Sequence, residues 1–237
     1  GICNVVGSTI PRESDGGIYV HSGPEIAVAS TKAFTSQLVA FYLLTILLGR
    51  MKDMSQLKGE RLIAELEMIP DKIQQILDRS KVIEDIAAKY SKYDNFLFLG
   101  RGISYPVALE GALKLKETSY KHVEGIASGE IKHGPIALVD DKTPVVFIIP
   151  DDDLYPKTLS NMQEIKARGG QLLVICNDAS DKIKELTNDI IVVPKTDPVL
   201  SPLLTIIPLQ LFAYFIARDL GRDVDKPRNL AKAVTVE

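Results

Sequence analysis

The chain has 237 residues, 46% hydrophobic and 25% charged, with a formal net charge of -3. That length allows one large or two small domains, and the balance is ordinary for a soluble globular protein. With no clustered basic excess, a phosphate-backbone binder is excluded and no nucleic-acid partner is expected.

The opening Gly1-Ile2-Cys3-Asn4 reads as the end of a hydrophobic strand with no strand before it, as expected of a truncated chain. Cys3 and Cys176 have no CxxC or Cys/His companion. They read as reduced structural thiols rather than a disulfide or a zinc site, so no metal is expected. No basic start followed by an apolar core marks a secretory signal, and a cytoplasmic location is expected. Residues 8–25 are rich in turn formers, including Pro11, Gly16, Gly17, Gly23 and Pro24, with a short strand expected at 17–20. Residues 30–48 have a helical pattern, with Ser30 or Thr31 available as cap and Gly49 and Arg50 ending it. Its apolar part, 38–48, is too short to span a bilayer core of roughly 30 Å. Residues 55–91 predict further amphipathic helix broken by Pro70, a connection between two lobes with a boundary near residue 54.

The alternation then becomes regular. Strands are predicted at 95–100, 144–150, 171–176 and 190–193, and helices at 104–120, 155–168, 181–186 and 203–220. Residues 199–217 are long enough to span a membrane but hold Ser201, Pro202, Thr205, Pro208 and Gln210. They read as a buried helix, and no membrane is expected. Strands apolar throughout, alternating with helices, imply a parallel sheet covered on both faces, a doubly wound α/β lobe. Residues 222–237 are polar and loop-like.

In such sheets ligands sit beyond the carboxyl ends of the strands. There the first clear strand runs into Gly100-Arg101-Gly102-Ile103-Ser104. Ser104 could cap the next helix, whose free amides could hold an anion; the simpler reading is an ordinary glycine turn. No GxGxxG or P-loop pattern follows, so no nucleotide cofactor is expected. On that helix Glu110, Lys114 and Glu117 fall within about 60° of one another. Val107, Ala108, Gly111, Ala112 and Leu115 form an apolar arc on one side, with Leu109 and Leu113 on the other. The trio is then either hemmed in, with perturbed carboxylates, or an exposed i,i+4 pair worth a few tenths of a kcal/mol. His133 lies in Ser128-Gly129-Glu130-Ile131-Lys132-His133-Gly134-Pro135, on a loop near a strand end. It is either inert or a proton carrier near neutral pH. The tail from Lys226 is either a frayed terminus or a segment anchored by Leu230, Val234 and Val236. In the second case its lysine, in a partly apolar site, could have a lowered pKa and form an imine with a ketone, while Arg228 fixes the tail or meets an anion.

Four strings arrive in order across the whole chain: residues 25–35 (EIAVASTKAFT), 108–117 (ALEGALKLKE), 129–135 (GEIKHGP) and 227–237 (PRNLAKAVTVE). Together they resemble the glucosamine-6-phosphate synthase family, the isomerising glutamine–fructose-6-phosphate aminotransferases. The resemblance implies two sugar isomerase (SIS) lobes. Residues 1–53 would be the end of a partial first lobe, 54–221 a complete second lobe, and 222–237 a tail closing over the sugar. The family's N-terminal glutaminase domain and the serine- and threonine-rich phosphate loop of lobe one have no counterpart in the sequence. The resemblance implies fructose 6-phosphate as substrate, glucosamine 6-phosphate as product, and no cofactor. By the same resemblance His133 opens the sugar ring, Lys232 forms an imine with the open ketose, and Glu117 shuttles the proton between carbons 1 and 2. Lys114 neutralises charge on the sugar oxygen and Glu110 orients it, while Val28, Ser30 and Ala231 line the sugar. A homodimer is implied, because the family's counterpart of His133 reaches the neighbouring subunit's site. Two other functions fit SIS lobes: a non-catalytic sugar-phosphate sensor, and a plain aldose–ketose isomerase.

Overall fold

Residues 1–232 are described by the computed structural model, in two units. One comprises Gly1–Glu67 with the stretch from Asp225 onward, the other Met68–Val224. In the first, β1 (Ile2–Cys3) and β2 (Ile18–Tyr19) pair in parallel around a short helix, α1 (Thr9–Glu13). The strand expected at 17–20 is β2. Helix α2 (Lys32–Met51) follows, then α3 (Gln56–Glu67). Neither Ser30 nor Thr31 caps α2 with its hydroxyl. Glu25 does so instead: its Oε1 accepts from the Thr31 N–H at 2.9 Å and the Ala33 N–H at 3.3 Å, and from Ser30 Oγ at 3.2 Å. A carboxylate there satisfies orphan donors and meets the positive end of the helix dipole. The units divide at Glu67/Met68 and Val224/Asp225, against lobe ends expected at 53 and 221. Helix α3 stays with the first unit, and Asp225 is tied to it by the Val28 N–H, which donates to its carbonyl at 2.9 Å.

The second unit starts with α4 (Ile69–Asp78) and α5 (Ser80–Tyr90). Pro70 lies in the first turn of α4, where a missing N–H costs nothing. Then come β3 (Asn95–Gly100), α6 (Ser104–Ser119), β4 (His122–Ala127), β5 (Val145–Ile149), α7 (Tyr155–Lys166), β6 (Leu172–Cys176), α8 (Asp181–Lys184), β7 (Ile190–Val192) and α9 (Ser201–Asp219). The five strands are all parallel, in the order β4-β3-β5-β6-β7. The order of connection reverses between β3 and β5, and in such sheets ligands bind at that switch point, beyond the carboxyl ends of the strands.

Side chains along β3 alternate between the faces. Leu97 and Leu99 join Val145, Phe147, Ile149 and Val174 in a core closed by Leu159, Met162 and Ile165 of α7. Phe96 points the other way and meets Phe212 of α9 edge-on, on the face covered by α5, α6 and α9. The sheet is thus covered on both sides, as the uninterrupted apolar strands predict. Strand β4 is not predicted from the sequence; it is an edge strand, and its exposed His122 and Glu124 break the apolar run.

Among the described residues two helices are long and apolar enough to cross a membrane, α2 and the stretch Pro198–Asp219. The second is 78% buried over its most apolar window, so its greasy surface is consumed by its own core; α2 is 11% buried. Both cysteines are free, and burial pushes the Cys176 thiol up to about 12.

Candidate active site

Helix α6 buries Val107, Ala108, Ala112 and Leu115 against the sheet and α9. Gly111 lets α9 come close: a Cβ there would lie 2.5 Å from Leu209 Cδ1. This tight seating carries Lys114 inside, where it is 4% exposed. Its Nζ lies 2.8 Å from Glu117 Oε2 and 3.4 Å from Glu110 Oε1. The exposed-pair reading is therefore overturned, since all three side chains are largely withdrawn from water. The enclosure differs from the expected one, however: Leu109 and Leu113 are each 42% exposed and do not seal the trio's outer flank.

A lysine taken out of water is tolerated only with close counter-charge. Two carboxylates supply it, and leave the cluster net negative. Burial raises the Glu110 carboxyl above its ordinary value; Lys114 pulls it back in part, while the Glu117 charge pushes it up. Glu117 Oε2 meets the Lys114 ammonium as an ion pair and has no further hydrogen-bond partner. A carboxylate of this kind is a residue type that can carry a proton to and from carbon, with the neighbouring ammonium facing the charge that develops.

The turn after β3 has Gly102 in the left-handed region, at φ +56°. Ser104 does not cap α6 as expected; it is the first helical residue and its Oγ is buried without a partner. Strand β4 runs straight into a 3-10 turn, Ser128–His133, which leaves His133 exposed at the carboxyl edge of the sheet. Glu110, Lys114, Glu117 and His133 all belong to the second unit.

The remaining expected residues lie in the first. The Lys232 ammonium donates to Glu25 Oε2 at 2.6 Å and to the carbonyls of Ala27 and Val28 at 3.1 and 3.3 Å. Val28 thus uses its carbonyl for Lys232 and its N–H for Asp225. Ser30 bonds Glu25, and Ala231 is exposed beside Lys232. Where the sequence suggested a lysine in apolar surroundings, the structure gives it a carboxylate partner. Burial alone would raise the Glu25 carboxyl, but Lys232 and the amides of Thr31 and Ala33 outweigh it and hold the group below its ordinary value. Val234 and Val236, expected to anchor the tail, lie outside the described residues. Leu230 is exposed while Pro227 is buried, so the described part of the tail is held by Pro227 and by the polar contacts of Lys232. Glu25 was missed as a functional residue, although an acidic side chain just before a predicted helix is a legible signal.

A sequence profile of the SIS domain matches residues 1–47 and 89–217. The chain belongs to the SIS domain family. The first match takes in β1, β2 and most of α2, so α2 is an element of a SIS domain rather than a segment apart from it. The second takes in the parallel sheet and α9. Among curated relatives of this SIS chain, the glutamine–fructose-6-phosphate aminotransferases [isomerizing] of Chlorobaculum tepidum and Aquifex aeolicus are each 50% identical over 237 residues. The chain spans 39% of the length of each. The solved C-terminal domain of glucosamine-fructose-6-phosphate aminotransferase from Francisella tularensis superposes with a TM-score of 0.89 at 42% identity, over 95% of this chain and 64% of that one. A glucosamine-6-phosphate deaminase from Thermotoga maritima superposes with a TM-score of 0.76 at 26% identity, over 100% of this chain and 66% of that one.

Proposed function

We propose that this chain is the isomerase part of a glucosamine-6-phosphate synthase, and that it converts fructose 6-phosphate and glutamine-derived ammonia to glucosamine 6-phosphate. The longer relatives, named glutamine–fructose-6-phosphate aminotransferases [isomerizing], are 50% identical to this chain over its length. The observation that carries the reading is the withdrawn Lys114–Glu117 pair, a charged group in a SIS lobe that packing alone does not require.

In this reading His133 moves a proton between the ring oxygen and the anomeric hydroxyl of the furanose and so opens it. Lys232, once deprotonated, attacks the carbon 2 carbonyl; water leaves and an imine forms. Ammonia displaces the lysine from that imine. Glu117 takes the proton from carbon 1 and returns it to carbon 2, turning a ketose imine into an amino aldose. Lys114 holds the negative charge that develops on the sugar oxygen, and Glu110 keeps Lys114 charged and aimed. Val28, Ser30 and Ala231 border the sugar. The ammonia comes from a glutaminase domain elsewhere in the full protein, the working form is a cytoplasmic homodimer, and His133 serves the neighbouring subunit's site.

The test separates the two central roles. In the intact enzyme Glu117→Gln is expected to stop exchange of the carbon 1 hydrogen with solvent, while borohydride still traps fructose 6-phosphate on Lys232. Exchange at the unaltered rate would remove Glu117 as the base.

A further inference from the structure

His133 is exposed, so its position depends on how firmly its turn is held. That turn is fastened from several sides. Ile131 is fully buried in the core that holds Met162 and Ile165 of α7. The side-chain amide of Asn161 of α7, 5% exposed, has an end 3.1 Å from the Ser128 carbonyl and 3.3 Å from the Lys157 carbonyl, where its nitrogen can donate to both. Three residues on, Glu164 Oε1 meets Lys132 Nζ at 2.7 Å. The Arg101 guanidinium also lies against the turn at Gly129, where a Cβ would come within 2.7 Å of Nη2. Asn161 and Glu164 share one face of α7, so a single helix grips the turn at its first residue and at the residue before His133.

Stability does not account for the second grip. Lys132 keeps 57% of its side chain exposed, and ion pairs of that kind contribute only about 0–1 kcal/mol. Placement of a reacting group is far more sensitive: a shift of about 1 Å can cost about 100-fold in rate. We infer that Asn161 and Glu164 of α7 are positioning residues for His133, holding the 128–133 turn in register while Arg101 packs against it at Gly129. This rests on the reading of His133 as the ring-opening group.

The experiment uses the intact enzyme with fructose 6-phosphate and measures kcat, KM, thermal unfolding and hydrogen–deuterium exchange over residues 128–134. Glu164→Gln is expected to lower kcat about tenfold with KM and melting temperature little changed, and to speed exchange in that turn. The exchanged pair, Lys132→Glu with Glu164→Lys, is expected to restore most of the loss. On a His133→Ala background Glu164→Gln is expected to cost nothing further, because both changes act on one group. A slow His133→Ala beside a Glu164→Gln of normal kcat overturns the positioning role alone. So does an exchanged pair as slow as the single variant, or a full Glu164→Gln loss on the His133→Ala background. A His133→Ala enzyme of normal kcat removes the ring-opening reading, and the positioning role with it. Asn161→Ala serves as a second variant, with loss of kcat expected to exceed any change in melting temperature.

Discussion

Lys114 carries more of the site's electrostatics than any other side chain, because two carboxylates share it in a place water scarcely reaches. Removing it leaves two like charges buried together. Lys114→Met is therefore expected to destabilise the second unit by about 3 kcal/mol, read from urea unfolding, and to raise the Glu110 carboxyl pKa further by NMR titration, since Lys114 now pulls it down. Glu25 works in the opposite sense. Its carboxyl is held below the ordinary 4.5, so the stability it contributes is fully present above that value and is lost as pH falls through its lower folded value. Amide protection at Thr31 and Ala33 is expected to persist at pH 5 and to weaken only below about 4.5, followed by hydrogen exchange. Glu110, Lys114 and Glu117 were legible in the sequence as ionisable residues flanked by apolar ones at helical spacing, whereas Lys232, on a loop-like tail, stood out through the family resemblance of residues 227–237. Their partners were not. The ion pair joining Lys232 to Glu25 spans 207 positions, and no local pattern encodes a contact of that range.

At the scale of the element, α6 shows how backbone approach sets chemistry. Gly111 admits Leu209, and only with α9 that close does Lys114 lie beneath the surface. Gly111→Val is expected to cost about 1–3 kcal/mol of stability by thermal unfolding, with a fall in kcat as Lys114 and Glu117 are displaced. Leu209→Ala, by making room, is expected to recover part of both. The periodicity predicted α6 and α7 to within a few residues at each end, because a helix with one buried stripe declares itself in apolar spacing. It predicted β3, β5, β6 and β7 because strands covered on both faces are apolar throughout. It did not find β4, whose outward residues are polar, nor the cap of α2, which comes from a side chain six positions ahead of the first amide it holds.

At the scale of the molecule the chain divides its chemistry between two units. Met68–Val224 contains the sheet, its two covering layers and the Lys114 cluster, while Lys232 belongs with Gly1–Glu67. A fragment of residues 68–224 is expected to unfold in one cooperative transition, followed by circular dichroism, and to give no borohydride-trapped sugar adduct. A trapped adduct on that fragment would move the imine to a different lysine. The amino-acid order by itself determined the α/β class, the parallel sheet, the helices around it and the residue types available for proton transfer and imine formation. These follow from the two side-chain periodicities and from which groups titrate or attack carbonyls. Tertiary structure alone decided that Lys114 is buried rather than exposed, that Glu25 partners Lys232, and that α7 grips the turn bearing His133. Each depends on approach between segments far apart in the chain, and burial and counter-charge are properties of the folded surroundings, not of the residue.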